Sequence, residues 1–301
     1  MAQAPAFTRA DLLNLQPAHA TFVGIDSDGC VFDTMEIKQK RCFHGLIVSH
    51  WHLEPIEKYV RESAEFVNLH SRWRGQNRFP CLLRSIDLLR DRPEVIASGV
   101  KLPTFDSLRA FMASGVPLGN PELEKAVRDT GDPELASLLR WSKAVNGEVA
   151  SKVGSVPPFP WALASLRKVQ ASSDAICVSQ TPTEALVREW RENDLLPYVR
   201  VIAGQELGTK AEHIAMATQG RYPPERVLMI GDAPGDLQAA RHNGAHFYPI
   251  NPGRENASWK KFFDEDYDLF LNGLYGGACE AALIAAFESL LPEVPPWKRQ
   301  R

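Results

Sequence analysis

Two hydrophobic rhythms divide the chain. One is a set of short apolar runs with strand character: 21–26, 174–179, about 198–203, 226–230 and about 246–250. After the first, each alternates with a segment of helical period: 160–170, one capped by Thr181-Pro182-Thr183-Glu184 and running to about 192, one capped by Thr209-Lys210-Ala211-Glu212 and running to about 218, and about 234–242. Strands alternating with helices imply right-handed crossovers and a parallel sheet covered on both faces. Between 35 and 153 the rhythm changes to a period near 3.6 and strand-like runs nearly vanish. Helices are expected there at 35–50, 54–70, 79–91, 104–114, 121–130 and 133–150. Two carry start signals, Asn120-Pro121-Glu122 and Asp132-Pro133-Glu134, each a capping side chain before a first-turn proline and a glutamate.

The expected fold class is therefore α/β, a Rossmann-like parallel sheet with an inserted all-helical domain. The boundaries are 1–34 with 154–301 for the sheet domain and 35–153 for the helices. The proline-rich stretch Ser155-Val156-Pro157-Pro158-Phe159-Pro160 reads as the hinge. Thr8 and Asp11 predict a capping box opening a short helix through Leu12, Leu13 and Leu15. Beyond 256 the pattern is helical again (258–263, 267–271, 277–291), ending in a polar, basic tail.

Composition narrows the function classes. Of 301 residues, 44% are hydrophobic and 24% charged, the balance of an ordinary soluble globular protein. A formal net charge of −3 supplies no broad basic field for nucleic acid or an anionic membrane. Neither is expected as a partner. The cysteines Cys30, Cys42, Cys81, Cys177 and Cys279 are odd in number and lack C-x-x-C spacing, which fits reduced thiols rather than a disulfide framework. No basic-then-apolar leader opens the chain, and no apolar stretch nears the roughly 20 residues that span a bilayer. A cytoplasmic location is expected.

The candidate chemistry sits where strands end. The first run stops in Asp26-Ser27-Asp28-Gly29, two carboxylates at i, i+2 that an extended chain sends to one side. In an open α/β sheet, that C-terminal edge is where ligands bind. Three more strand or helix ends carry useful polar groups. Ser179 follows Ile176-Cys177-Val178, Lys210 opens a helix after Thr209, and Asp232 and Asp236 fall in Gly231-Asp232-Ala233-Pro234-Gly235-Asp236.

At these residues the sequence resembles the haloacid dehalogenase-like (HAD) superfamily, mostly phosphatases. Asp26 to Thr34 read D-S-D-G-C-V-F-D-T against that family's D-x-D-G-T-L-x-D-[ST]. Ser179 matches its second signature, Lys210 its third, and Gly231-Asp232 with Asp236 its G-D-x-x-x-D. One departure is Cys30 in place of the usual threonine or valine, a change expected to alter packing more than chemistry.

The resemblance implies a magnesium-dependent phosphatase acting on a small phosphorylated metabolite through an aspartyl-phosphate. Asp26 would be the nucleophile and Asp28 the general acid and base. Asp26, the backbone carbonyl of Asp28, and Asp232 would hold Mg2+, with Asp236 beside them orienting Lys210 or a metal-bound water. Ser179, Gln180 and nearby amides would hold phosphoryl oxygens, and Lys210 would offset charge on the transferring group. The insertion would be a mobile helical cap. Its stretch Ser71-Arg72-Trp73-Arg74-Gly75-Gln76-Asn77-Arg78 vaguely resembles the cap loop of β-phosphoglucomutase-like members, which makes Arg74 and Arg78 candidates for an anionic substrate, against a solvated interhelical loop as the alternative. His50-Trp51-His52 lacks companion ligands at suitable spacing and reads as structural or surface. Dehalogenation needs neither Asp28 nor Asp232, whereas phosphomutase and phosphonate-hydrolase chemistry would share the same core. A non-catalytic binding protein would be expected to lose one of the paired acids.

Overall fold

The computed structural model describes residues 7–299, and these fall into two compact units. Met35 and the residues before it join 155–292 in the first, which contains the sheet. Its five strands are β1 (Phe22–Ile25), β2 (Asp174–Val178), β3 (Val201–Ala203), β4 (Val227–Gly231) and β5 (His246–Pro249). They are all parallel, in the order β3-β2-β1-β4-β5. The α/β class and parallel sheet expected from the sequence are present.

Because strand side chains alternate between faces, each strand feeds two cores. Val23, Ile25, Ala175, Cys177, Leu228 and Ile230 point into one, under helices Pro160–Gln170, Thr183–Glu192 and Glu255–Lys261. Phe22, Ile176, Val178, Val227 and Met229 point into the other, under helices Lys210–Thr218, Pro234–His242 and Ala278–Leu290. Burial on both faces explains why the strands read as continuous apolar runs.

The order places β1 at the centre. β2 and β3 extend to one side of it and β4 and β5 to the other, so the direction of winding reverses between β1 and β4. At such a switch point the loops leaving adjacent strands diverge and open a crevice beyond their C-terminal ends. Ile25 is in register with both Cys177 and Ile230. The residues that follow, Asp26 on β1, Ser179 on β2 and Asp232 on β4, therefore emerge at one edge within a residue of each other. Where the chain leaves this unit and returns, the two ends are stitched together. Phe32 forms a bridge with Pro158, and the Phe159 amide donates to the Val31 carbonyl at 2.9 Å.

The second unit comprises residues 36–154 and the tail from Glu293. Its helices include His44–His50, Glu57–Leu69, Arg78–Asp87, Asp106–Ala113, Asn120–Thr130 and Pro133–Lys152, around a core of Val60, Phe79, Phe105, Leu138 and Trp141. A short helix at Pro93–Ser98 adds to the expected set, and a π-helical turn at Gln39–Phe43 interrupts the helix expected over 35–50. The basic tail groups with these helices: Glu293 pairs with Arg72 at 2.6 Å, and the Trp297 ring packs on Phe66 and under the Arg92 guanidinium.

Start signals were realised unevenly. Asp132 caps its helix by accepting the Leu135 amide, and Thr209 with Glu212 forms a reciprocal capping box. Asn120 does not cap: Gly119 holds that position, and the Asn120 side chain accepts the Ser142 hydroxyl instead. Among the described residues, no helix is long and apolar enough to cross a membrane.

Candidate active site

Asp26 lies one residue past β1 and is almost fully buried. Its amide donates to the Ile230 carbonyl, extending the sheet by one bond. One carboxylate oxygen accepts the Ser27 amide at 2.8 Å, and the other lies 2.8 Å from Lys210 Nζ. The chain then turns at Gly29, whose φ of 80° lies in the left-handed region where a Cβ is disfavoured. The Gly29 amide donates to Phe32, and the Ser27 carbonyl collects the amides of Cys30, Val31 and Phe32.

Lys210 stands at the first position of its helix, held there by the Thr209–Glu212 capping box. A cation gains nothing from the dipole at a helix N-terminus; what fixes it is the pair of acids it spans. Besides Asp26, Nζ donates to Asp236 Oδ1 at 2.6 Å. Asp236 Oδ2 accepts the Ala233 amide at 3.0 Å, which orients that carboxylate from behind. The close approach needs Gly231, since a Cβ there would lie 2.3 Å from the Asp236 carboxylate.

Asp26, Asp232 and Asp236 are all buried and offer carboxylate oxygens within 4.8 Å of one another, from strand ends more than 200 residues apart in the chain. Among the described residues this is the one group of acids, histidines or cysteines so arranged. Burial raises the Asp26 pKa to about 7, Lys210 pulling it down and Asp236 pushing it up. Asp236 is raised for the same first reason, with Lys210 opposing and Asp232 reinforcing. Burial would strip the Lys210 proton, but Asp236 and Asp26 outweigh it and hold the ammonium above its usual range. Two of these buried carboxylates thus share a single ammonium. Excess negative charge out of water is costly unless compensated, and hard oxygen donors in this number suit a small divalent cation. The donor set fits magnesium.

Asp28 is engaged differently. Thr34 donates its hydroxyl to Oδ1, and Thr181 donates to Oδ2 at 2.6 Å. Its carboxylate is outside the group of three; the metal role expected for Asp28 is that of its backbone carbonyl. Ser179 is buried, donates its amide to Ala203 and accepts the Thr181 amide on Oγ at 3.2 Å. Gln180 donates to the Gly208 carbonyl at 3.1 Å. Thr181, in the segment expected to cap the following helix, instead gives its hydroxyl to Asp28, and Pro182 holds the cap position.

Arg74 and Arg78 belong to the helical unit. Arg74 is buried and donates to the Leu69 carbonyl at 3.0 Å. Arg78 donates to the Ser142 carbonyl and hydroxyl and to Asn146, with its guanidinium 5.4 Å from the centre of the Phe43 ring. Burial lowers its pKa to about 10. Asn77 caps the helix that follows, and His50 bonds Ser137. Cys30 is fully buried in the sheet core, as a packing change would require.

Solved structures that this chain is similar to include haloacid dehalogenase-like hydrolases. One from Bacteroides fragilis is 16% identical, with 79% of this chain and 92% of that one covered and a TM-score of 0.46. Another, from Streptococcus pneumoniae, is also 16% identical, covering 80% and 90%, with a TM-score of 0.42. A HAD hydrolase from Bacillus subtilis bound to magnesium is 14% identical, covering 76% and 86%, with a TM-score of 0.40. No protein-family model matches the chain, and no curated protein does. With every one of these TM-scores below 0.5, the reading of the site rests on its own geometry.

Proposed function

We propose that the protein is a magnesium-dependent phosphatase that hydrolyses a small-molecule phosphomonoester through an aspartyl-phosphate on Asp26. The observation that carries this reading is the convergence of Asp26, Asp232 and Asp236 around Lys210 at the switch point of the sheet.

Each residue then has a task. Asp26 attacks phosphorus, and its new O–P bond forms as the ester O–P bond breaks. Asp28, protonated at that moment, gives its proton to the leaving oxygen; its links to Thr34 and Thr181 hold the carboxyl in place. As a carboxylate it then takes a proton from the water that attacks phosphorus, which breaks the bond to Asp26 and releases phosphate. Lys210 sits against the nucleophile and offsets charge on the transferring group. Ser179 and Gln180, at the end of β2, present polar groups to phosphoryl oxygens. Asp26, the Asp28 carbonyl and Asp232 would hold magnesium, which when bound screens the repulsion between anionic nucleophile and anionic substrate. Asp236, with one oxygen on Lys210 and the other on the Ala233 amide, is a positioning residue for the lysine. We assign the choice of substrate to the helical insertion.

Turnover of an aryl phosphate tests the reading directly. Activity should require magnesium, disappear with chelator, and fall at least about 10³-fold in Asp26→Asn, since a nucleophile is lost outright. An Asp26→Asn protein as active as the parent would end it.

A further inference from the structure

The loop that carries both catalytic acids has a second side. Asp26 and Asp28 project one way, and by the two-residue period of an extended chain Ser27 projects the other, into the sheet core, where it is fully buried. There its Oγ accepts the indole N–H of Trp190 at 2.9 Å. Three residues on, the Cys30 carbonyl accepts the indole N–H of Trp259 at 2.8 Å. Both indoles are fully buried, so each bond is sheltered from competing water. Phe32 closes the arrangement, its ring lying edge-on to Trp190 with centroids 6.2 Å apart.

The origins of the two tryptophans matter. Trp190 belongs to helix Thr183–Glu192, which the Ser179–Thr181 segment leads into from β2. Trp259 belongs to helix Glu255–Lys261, which follows β5, the edge strand on the β4 side of the sheet. The same turn is therefore tied from behind to elements following strands on both sides of β1. Core tryptophans need only a partner for their N–H; here both partners are in the one loop whose position decides whether Asp26 and Asp28 reach a phosphoryl group.

We propose that Trp190 and Trp259 are positioning residues. Their indole N–H groups fix the Ser27–Cys30 turn, and so set the separation between nucleophile and general acid. For its kinetic consequence the inference rests on the phosphatase reading; for its structural one it does not. A rigid turn costs nothing extra when the reacting groups meet, whereas a looser one spends part of each encounter out of line. A displacement on the order of 1 Å is worth about 10²-fold in rate.

The test uses the full chain and single-group changes. Trp190→Phe and Trp259→Phe remove one N–H each and keep an aromatic ring; Ser27→Ala removes one acceptor and leaves Trp190 whole. Two readouts are taken: backbone amide exchange over residues 27–33, and kcat and KM for an aryl phosphate with magnesium. Exchange over this loop should rise about 5- to 10-fold in each variant, the equivalent of one hydrogen bond's net worth. The kcat should fall about tenfold with KM within about twofold, and Ser27→Ala combined with Trp190→Phe should be no worse than either alone. Unchanged loop exchange in Trp190→Phe and Ser27→Ala would overturn the brace. Faster exchange with an unaltered kcat would reduce the tryptophans to core packing. Should the parent protein turn over no phosphate ester, the proposed function fails while amide exchange still decides whether the indoles hold the loop.

Discussion

Replacing Lys210 by methionine removes the one ammonium that separates two buried acids. In the intact protein Nζ lies 2.8 Å from Asp26 and 2.6 Å from Asp236, with the Asp236 side chain wholly inaccessible. At an effective dielectric of about 20, a pair at such a distance attracts by about 6 kcal/mol before desolvation is subtracted. Breaking a buried pair from one side typically costs about 3–5 kcal/mol, because the surviving charge keeps its desolvation penalty. Lys210→Met strands two carboxylates beside a third, so the upper part of that range applies. The protein should relieve the repulsion by taking up a proton, since burial already lifts Asp26 to about 7 and the main force holding it down is gone. In chelator the melting temperature should fall on the order of 10 °C. Magnesium should restore part of that loss and stabilise the variant by more than it stabilises the parent, because positive charge is returned among the acids. Thermal denaturation followed with and without magnesium measures both. A variant that melts within 1 °C of the parent in chelator, or gains no more from magnesium, would refute the electrostatic account of the site.

Gly231→Ala should lower kcat on the order of 10²-fold, because the new methyl would lie 2.3 Å from the Asp236 carboxylate and push it off Lys210. The stability cost should be about 1–3 kcal/mol, as for other overpacked sites; kinetics beside a denaturation curve would show whether rate suffers more than fold. A third expectation concerns acid. Asp174 is buried, which alone would raise its pKa, yet Arg200, the Ala18 and His19 amides and Tyr222 overcome this and hold it below the usual carboxylate range. A carboxylate depressed in the folded state contributes stability that is complete above its unfolded pKa of about 4 and is lost as pH falls through the folded value. Asp174→Asn should therefore cost about 1–3 kcal/mol at pH 7 and progressively less below pH 4. A gap that stays constant from pH 7 to pH 3 would show that Asp174 acts by shape rather than charge.

How far the sequence could be read follows from what each signal depends on. Strand ends were legible because β1, β2 and β4 are buried on both faces and must be apolar until they emerge, so the first polar residue marks the edge: Asp26, Ser179 and Asp232 each announce one. Helix starts were legible where the cap is local, as at Asp132 and Thr209, and misread where a tertiary partner competes. Asn120 is drawn to Ser142, and Thr181 to Asp28. Pro93–Ser98, only six residues, is too short to show a period. The arginines of 71–78 show what a sequence leaves out, since it records charge without its partner. Ser142 and Asn146 lie more than 60 residues beyond Arg78 in the chain. The two tryptophans were invisible as site residues for the same reason, since nothing local tells which core indole reaches which loop.

The stitch between Val31–Phe32 and Pro158–Phe159 has a consequence for how such a chain can change. It makes residues 36–154 a closed excursion whose departing and returning strands of chain lie side by side. The sheet therefore feels the length of the excursion only through the entropy of closing it, about 0.6 kcal/mol for each doubling. A lineage could lengthen, trim or exchange those helices while Asp26 and the strand ends beside it stay in register, because the sheet's share of the chain is closed off before they begin.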